Sequence, residues 1–448
     1  MFSFGVSLLA IIIAVSDAPA IVIFISNLIA IVPLSMTLTF ATERLCQDLG
    51  ETASALLNIS IGNLAEMIIF TALMKDNIKV VQASLLGSVL VNLLLVLGSA
   101  IISGSILSPD QVYNTDLTQS FVGLLNLTVS CLMIPSAFYG SVKNTHSADD
   151  MALSFSRGVS IILLGIYFLY LFFQFRSHPH LFHSHPSKTP FSGNGSSRID
   201  YDRLHDEVYS DEESHTGSPD TAAANIIFPS QMERVPCPHV QFSAPADIQA
   251  GQGLPMVHID TAERSDTPPI LSNDCHAYDT SENPDGHYCR NLVLANRAIS
   301  IALLISSTLL IAVCAEFFAS SFETLNDKHI LGESFVGLIV IPIAGNVAEN
   351  VTATIVAGKN QMDLAISIAL GSAIQIGLLV TPVIVLAGWA LDKPMSLHFD
   401  YFGIVTLVGS VLLVSFIVLK GKTNYLEGAI LCACFAAISV GAFLLPVA

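Results

Sequence analysis

Charged residues are scarce in this sequence. Only 12% of its 448 residues are Asp, Glu, Lys or Arg, whereas about a quarter of the residues of an ordinary soluble domain are charged. Hydrophobic residues make up 52% of the chain, and the mean hydropathy is +0.65. This composition excludes a typical soluble globular protein and indicates a polytopic membrane protein.

The motifs of several other protein classes are missing as well. The sequence has no P-loop and no recognisable nucleophile–base pair, so ATP-driven pumping and hydrolysis have no support, and we expect neither enzyme activity nor a cofactor. Its eight cysteines form no disulfide framework. The net charge of −18 argues against nucleic acid as a partner and favours cations, the smallest of which are metal ions.

Apolar runs of about 20 residues predict membrane-spanning helices. The sequence has eleven candidates, near residues 3–15, 20–46, 54–74, 80–104, 117–140, 151–175, 292–323, 331–357, 362–391, 401–420 and 423–446. The first is short, and no basic residue precedes it, so we interpret residues 1–16 as an extra N-terminal helix and not as a cleaved signal peptide.

One polar segment, residues 176–290, separates two hydrophobic blocks at residues 20–175 and 292–446. The segment is rich in Ser, Pro, Asp and His, and it holds seventeen acidic and seven basic residues. It cannot bury enough apolar surface to fold alone, so we predict an acidic, His-rich and largely disordered loop. Basic residues cluster in or beside this loop, which indicates that it lies in the cytosol.

A short motif occurs once in each hydrophobic block. GNLAE at 62–66 and GNVAE at 345–349 match at a constant offset of 283 residues. Each motif is followed by a polar break and then by a second apolar helix with a Gly-Ser pair, in LGSVLVN at 86–92 and LGSAIQI at 370–376. Two copies of the same helix sequence predict an internal structural repeat.

The two copies of the motif cross the membrane in opposite directions, because they lie in the third and eighth candidate spans, five places apart. The predicted fold is therefore all-α, a polytopic membrane protein with about eleven transmembrane helices, in which at least three helices recur as an inverted repeat on either side of the loop. Secondary transporters place their binding sites near the midplane of such repeats.

The motif places an acid in an otherwise apolar helix, Glu66 in the first copy and Glu349 in the second. An ionised carboxylate in hydrocarbon costs several kcal/mol, and neither helix offers Lys or Arg as a partner. The acid could stay protonated, or it could bind a cation and release its proton. Asn63 and Asn346 lie three residues earlier, on the same helical face. Carboxylate and amide oxygens are the ligands that Ca²⁺ prefers.

Further polar residues could support this site. Ser88, Ser372 and Gln375 lie in the helices that follow the motifs, and Asn92 is another polar residue there. Gly-Ser pairs also mark close helix packing, so a purely structural role stays open for the two serines.

Upstream of the motifs, Glu43 in TFATERL aligns loosely with Glu316 in VCAEFFA. The two acids are either helix-end residues near the membrane interface or groups of a gate or proton relay.

The two repeats resemble those of the vacuolar calcium/proton exchangers, the cation/proton exchanger branch of the calcium/cation antiporters. The resemblance rests on the paired GN-x-A-E motifs and the Gly-Ser helices, and it covers both hydrophobic blocks but not the loop. It implies a fold of two inverted five-helix repeats plus an extra N-terminal helix. It also implies ion-binding acids at Glu66 and Glu349, with polar supports at Asn63, Asn346, Ser88, Ser372 and Gln375. It further implies that Glu43, Glu316 and Glu323 lie along the cytosolic or proton path. Asn350 departs from the pattern, because the family usually has His there.

We therefore expect a secondary antiporter that moves Ca²⁺ from the cytosol into an acidic vacuole in exchange for H⁺, by alternating access at a midplane two-glutamate site. The expected partners are Ca²⁺, H⁺ and the lipid bilayer, in the vacuolar membrane or another endomembrane, and a homo-oligomer stays open. The alternatives are an exchanger for Mn²⁺ or another divalent cation, an uncoupled cation channel, and a scaffold that binds partners through its loop.

Overall fold

The computed structural model describes residues 2–16, 18–47, 61–75, 77–145, 147–177, 284–327 and 332–445. Almost all of these residues are helical. Most of the predicted acidic loop lies outside the described residues. The two ends of the predicted loop are helical. The helix before it extends to Ser177, and the helix after it begins at Pro284.

The described residues before the loop form six helices, of which the first precedes the hydrophobic block 20–175. They are α1 (Phe2–Val15), α2 (Ala20–Gln47), α3 (Leu64–Leu73), α4 (Ile78–Ile106), α5 (Thr115–Val142) and α6 (Ala148–Ser177). The second block forms another six. They are α7 (Pro284–Asp327), α8 (Glu333–Gly345), α9 (Val347–Gly358), α10 (Met362–Ala390), α11 (Tyr401–Val418) and α12 (Tyr425–Leu444).

Eight of these helices are long and apolar enough to cross a membrane, and α8 with α9 forms a ninth span that is bent by 54°. The shorter apolar helices α1 and α3 lie where two further spans are predicted. The structure thus confirms an all-α polytopic membrane protein, while the count of eleven spans stays a prediction.

Helices α4 and α10 form the centre of the molecule. In each of them about four-fifths of the most apolar segment is buried in protein, namely 83% for α4 and 78% for α10. Both contain a π-helical stretch, Val91–Val96 in α4 and Ile376–Val380 in α10. The Gly-Ser pairs of the two repeats therefore lie on the two most deeply buried helices, one turn before matching irregularities.

The chain crosses back and forth, so the ends of its helices define two sides. We call the side on which α6 ends and α7 begins the loop side, and the opposite side the far side. Two short strands, β1 (Asp110–Val112) and β2 (Lys422–Asn424), pair antiparallel on the loop side. Because β1 follows α4 and β2 precedes α12, this ribbon ties the two repeats together at the loop side.

Close helix packing joins α4 and α8 toward the far side. A Cβ added at Gly87 would lie 2.3 Å from the backbone oxygen of Leu338 and 2.6 Å from Cγ of Pro342. A Cβ at Gly337 would lie 2.8 Å from the backbone oxygen of Val80. Only glycine fits at these two positions, which lets the two helix backbones touch.

We expect Gly87→Ala to destabilise the protein by roughly 1–3 kcal/mol, since overpacking against a backbone carbonyl forces the helices apart. Its matched control is Gly371→Ala, the equivalent position in the other repeat, where an added Cβ meets nothing within 4 Å. There alanine should be neutral or slightly stabilising. Melting temperatures of the two purified variants in the same detergent check this, and equal values would contradict the packing argument.

Candidate functional site

Both repeated motifs break their helix at the asparagine. Asn63 has φ −98° and ψ 15°, and Asn346 has φ −99° and ψ 20°. These nearly identical departures from helical geometry begin α3 and α9 anew and place Glu66 and Glu349 in the first turn of each. A helix N-terminus favours negative charge, because the backbone N–H groups of the first turn are free. The break therefore gives each carboxylate a suitable position inside the membrane.

The carboxylate of Glu66 is held by both repeats. Its side chain is 3% exposed, and its Oε1 accepts a hydrogen bond of 2.7 Å from Ser88 Oγ. The same oxygen accepts a second bond from Nδ2 of Asn346, which comes from the other repeat. Glu66 thus joins α3, α4 and the α8–α9 break.

Asn92 completes a buried polar network around Glu66. It is fully buried, and its Nδ2 donates to Oδ1 of Asn346 at 2.6 Å and to the backbone oxygen of Ser88 at 3.0 Å. Asn346 Nδ2 also donates to the backbone oxygen of Pro342 at 2.9 Å. These contacts fix the orientation of the Asn346 amide, so that its N–H group faces Glu66.

Glu349 faces a cavity of about 470 Å³ that opens toward the loop side. Asn63, Ser372 and Gln375 also line this cavity, and Asn63 Nδ2 donates to Oε1 of Gln375 at 3.1 Å. Glu349 lies within electrostatic range of Glu66. The repeat-related acids thus share one polar region, with Glu66 sealed in protein and Glu349 at the cavity wall.

Five buried oxygens in this region have no hydrogen-bond partner among the described residues. They are Oε2 of Glu66, Oε2 of Glu349, Oγ of Ser372, Oδ1 of Asn92 and Oε1 of Gln174. A buried polar atom without a partner is costly. All five can accept from a donor or coordinate a metal ion, and oxygen-only ligands suit a hard cation such as Ca²⁺. The region is chemically suited to bind a divalent cation or protons.

The two halves of the site differ in how closely the repeats pack. A Cβ at Gly345 would lie 2.9 Å from Oε1 and 3.0 Å from Cγ of Glu66, so the α8–α9 break packs directly against this acid. At Gly62, the equivalent position in the first repeat, a Cβ would meet nothing within 4 Å in the part of the chain that the structure describes. The half-site at Glu66 is therefore closed, while the half-site at Glu349 is open to the loop side.

The acids predicted for a path or gate lie in different places. Glu43 lines the cavity on the loop side and is within electrostatic range of Glu349. Glu316 lies near the far side, where both its oxygens accept from Nζ of Lys75 at 2.6 and 2.7 Å. Glu323 is exposed near the far-side end of α7 and lines neither of the larger cavities found in the described part of the chain.

Several polar residues of the cavity wall were not predicted from the sequence. They are Thr39, Tyr170, Gln174, Thr352 and Ser367. The spacing of the residues could have indicated some of them. Thr39 precedes Glu43 by four residues and Tyr170 precedes Gln174 by four, and residues four apart lie on the same face of a helix.

A second cavity, of about 300 Å³, lies on the far side between α4, α8 and α11. Its charged lining residues are Lys79, Glu333 and Asp400, and it includes none of the motif residues. Within the described ranges, no group of three or more His, Cys, Asp or Glu side chains is arranged to hold a metal ion. A cation at the centre would thus depend on two carboxylates supplemented by amide and hydroxyl oxygens.

Inverted repeats whose broken helices meet at buried carboxylates define the architecture of a secondary transporter. The family model of the sodium/calcium exchanger protein matches residues 19–176 and 299–444, the two repeats without the loop. The chain belongs to this family.

Curated relatives match nearly the whole chain. A vacuolar calcium ion transporter of Cryptococcus neoformans is 33% identical over 443 residues, which cover 95% of this chain and 69% of the relative. A vacuolar calcium ion transporter of Schizosaccharomyces pombe is 30% identical, with 95% and 79% covered. Vacuolar cation/proton exchanger 1b of Oryza sativa is 30% identical, with 94% and 75% covered. The similarity thus extends through both repeats in each relative.

Solved structures share the fold. The Ca²⁺/H⁺ antiporter protein YfkE aligns over 99% of this chain and 98% of its own, with a TM-score of 0.62 and 24% sequence identity. A structure of the H⁺/Ca²⁺ exchanger CAX aligns over 99% and 90%, with a TM-score of 0.55 and 11% identity. At these identities the likeness supports the arrangement of helices and nothing finer.

Proposed function

We propose that this protein is an antiporter that moves Ca²⁺ in one direction and H⁺ in the other across the vacuolar membrane. The observation that carries the proposal is the pair of repeat-related acids, Glu66 and Glu349, in one polar region with unpartnered oxygens. The names of the curated relatives, vacuolar calcium ion transporters and vacuolar cation/proton exchangers, support the same substrates and membrane.

Exchange follows from competition for the same oxygens. Two carboxylates neutralise one Ca²⁺, which limits the electrostatic cost of placing the ion in the low-dielectric centre of the membrane. Without the ion, the same carboxylates are best neutralised by protons. Since a metal ion binds the deprotonated form, loading Ca²⁺ releases protons and loading protons releases Ca²⁺.

The open cavity fits loading from the cytosol. The cavity opens on the loop side, which we take to be the cytosolic side because basic residues cluster near the ends of α6 and α7. In the acidic interior of a vacuole, protons would occupy Glu66 and Glu349 and displace the ion. The proposed direction is therefore Ca²⁺ from the cytosol to the vacuole, driven by H⁺ flowing back.

Alternating access would interchange the two half-sites. In the structure α4 and α8 touch at Gly87, which closes the far side, while a Cβ added at the equivalent Gly371 would meet none of the described residues within 4 Å. Because the repeats are inverted, the same contact formed at Gly371 and released at Gly87 would close the loop side and open the far side. Glu349 would then be sealed and Glu66 exposed.

The direct test is Ca²⁺ uptake into liposomes that contain the purified protein and an imposed pH gradient, acidic inside. We expect uptake that depends on the gradient and stops when an ionophore collapses it. An uncoupled channel would instead conduct Ca²⁺ down its own gradient whether or not the pH gradient is present.

A second candidate is an exchanger for another divalent cation such as Mn²⁺. The oxygen-only ligand set does not separate hard divalent ions sharply. Competition for radioactive Ca²⁺ uptake by Mn²⁺, Mg²⁺ and Na⁺ distinguishes these substrates, and stronger inhibition by Mn²⁺ than by unlabelled Ca²⁺ would favour the second candidate.

Asn92 should matter for affinity, although it does not contact Glu66 itself. Asn92→Ala removes the donor that orients the amide of Asn346, and we expect the affinity for Ca²⁺ to fall about 10- to 100-fold, as for other residues that support metal ligands. Binding to the purified protein, measured by calorimetry, gives the dissociation constant.

The matched control is Asn126→Ala. Asn126 is another intramembrane asparagine, half-buried where Asn92 is fully buried, and its Nδ2 donates to Oγ of Ser415 at 3.2 Å, away from the cavity. The loss of one amide inside the membrane is common to both variants. An equal loss of Ca²⁺ affinity in both would show that the effect of Asn92 is one of stability alone.

A further inference from the structure

Two lysines follow the motif helices at equivalent positions. Lys75 follows α3 in the polar break MKDN, and Lys359 follows α9 in the break GKNQMD. Two acids are also repeat-related, Glu43 on α2 and Glu316 on α7. Because the repeats are inverted, Lys75 and Glu316 lie on the far side, whereas Lys359 and Glu43 lie on the loop side.

On the far side the pair is formed. Nζ of Lys75 lies 2.6 Å from Oε1 of Glu316, and Lys393 in the α10–α11 connection donates to the backbone oxygen of Lys75. The ion pair links the end of α3 to α7 on the side where α4 and α8 are in contact. The ion pair thus lies on the side on which the site is closed.

On the loop side the equivalent pair is not formed. Lys359 is exposed and has no ion-pair partner among the described residues, and Glu43 lines the open cavity without one. The same two residue types, Lys and Glu, are thus paired on the closed side and apart on the open side. The presence of the ion pair therefore coincides with the side on which the site is closed.

We propose that Lys75 and Lys359 are gate residues that form ion pairs in alternation, Lys75 with Glu316 when the cavity opens to the loop side and Lys359 with Glu43 when it opens to the far side. In the second state the Lys359 ammonium would also neutralise Glu43 at the cavity mouth. The proposal rests on the proposed function only in requiring a state that is open to the far side.

The effect of each pair is modest. Side-chain exposures of 55% for Lys75 and 57% for Glu316 mean that water screens the attraction. Such a pair shifts a two-state equilibrium by up to about fivefold. A shift of this size changes the populations of two states of similar free energy, and both states remain populated.

Labelling of a cysteine in the cavity tests the proposal. In a variant with the eight native cysteines replaced, Ser367→Cys places a thiol in the loop-side cavity wall. Its rate of modification by a charged thiol reagent reports the fraction of protein open to the loop side. We expect Lys75→Glu to shift the equilibrium away from this state by up to about fivefold and Lys359→Glu to shift it toward this state by a similar factor.

The charge-swapped variant Lys75→Glu with Glu316→Lys should restore the rate. Lys420→Glu is the matched control, since Lys420 is equally exposed and lies 2.6 Å from Glu427 in a pair that has no place in the gate. Shifts in the same direction, or none, for the two gate lysines would overturn the proposal. That outcome leaves proton-driven Ca²⁺ uptake by the unmodified protein unaffected, so the gate and the proposed function fail separately.

Discussion

Uptake of Ca²⁺ driven by a pH gradient should fall to background in Glu66→Gln and in Glu349→Gln. Each change removes one of the two charges that neutralise the ion at the centre of the membrane. The loss of one partner from a buried charge pair costs roughly 3–5 kcal/mol, which is more than two orders of magnitude in affinity. Flux measured in liposomes at equal protein content checks the prediction.

The glutamine variants should still fold, because the amide is nearly isosteric with the carboxylate. In Glu66→Gln the side-chain oxygen can still accept from Ser88 and Asn346. Asp116→Asn is the control, an acid exposed in the first turn of α5 and outside the cavity. Normal uptake by either glutamine variant with an unchanged melting temperature would remove that acid from the proposed site.

The core of the candidate site could be predicted from the sequence because the motif that contains it occurs twice. A single acid in an apolar helix is ambiguous, but Glu66 and Glu349 occur at the same place in two copies of GN-x-A-E. The asparagines could be placed by the same argument, since a residue three positions before an acid shares its helical face. The structure brings Asn346 of one repeat onto Glu66 of the other.

The asymmetry of the site could not be predicted, because the two copies of the motif are almost identical. Ser88 donates to Glu66, whereas its equivalent Ser372 has no partner in the described region. Gly345 packs on an acid, whereas a Cβ at Gly62 would contact none of the residues that the structure describes. These differences depend on which of two helix packings the whole bundle adopts, and both packings use the same residues.

Asn92 is a second feature of the site that could not be predicted with the same weight from the sequence. With the Gly-Ser pairs aligned, the position of Asn92 corresponds to Ile376 in the other repeat. An argument from repetition therefore gives Asn92 less weight than Ser88. Its importance becomes visible only in space, where it links Asn346 to the backbone of Ser88. A site residue that occurs in only one copy of the repeat can thus be identified only from the structure.

Binding of Ca²⁺ should weaken steeply as the pH falls. If the ion displaces one proton from each of Glu66 and Glu349, its dissociation constant rises up to about 100-fold per pH unit once both acids are protonated. The affinity rises with pH until both are deprotonated and is then constant. Calorimetry in buffers of different ionisation enthalpy counts the protons released per ion, and we expect the count to approach two at low pH.

The number of protons separates the two-glutamate site from its alternatives. A cation that coordinates only neutral oxygens, such as those of Asn63, Gln375 and Ser372, would bind without releasing protons, and its affinity would not depend on pH. A site that uses Glu349 alone would release at most one. A count of one would therefore contradict the two-glutamate site and leave Glu66 in its hydrogen bonds with Asn346 and Ser88. A count near two in the state open to the loop side would mean that both acids take part from the first encounter with the ion.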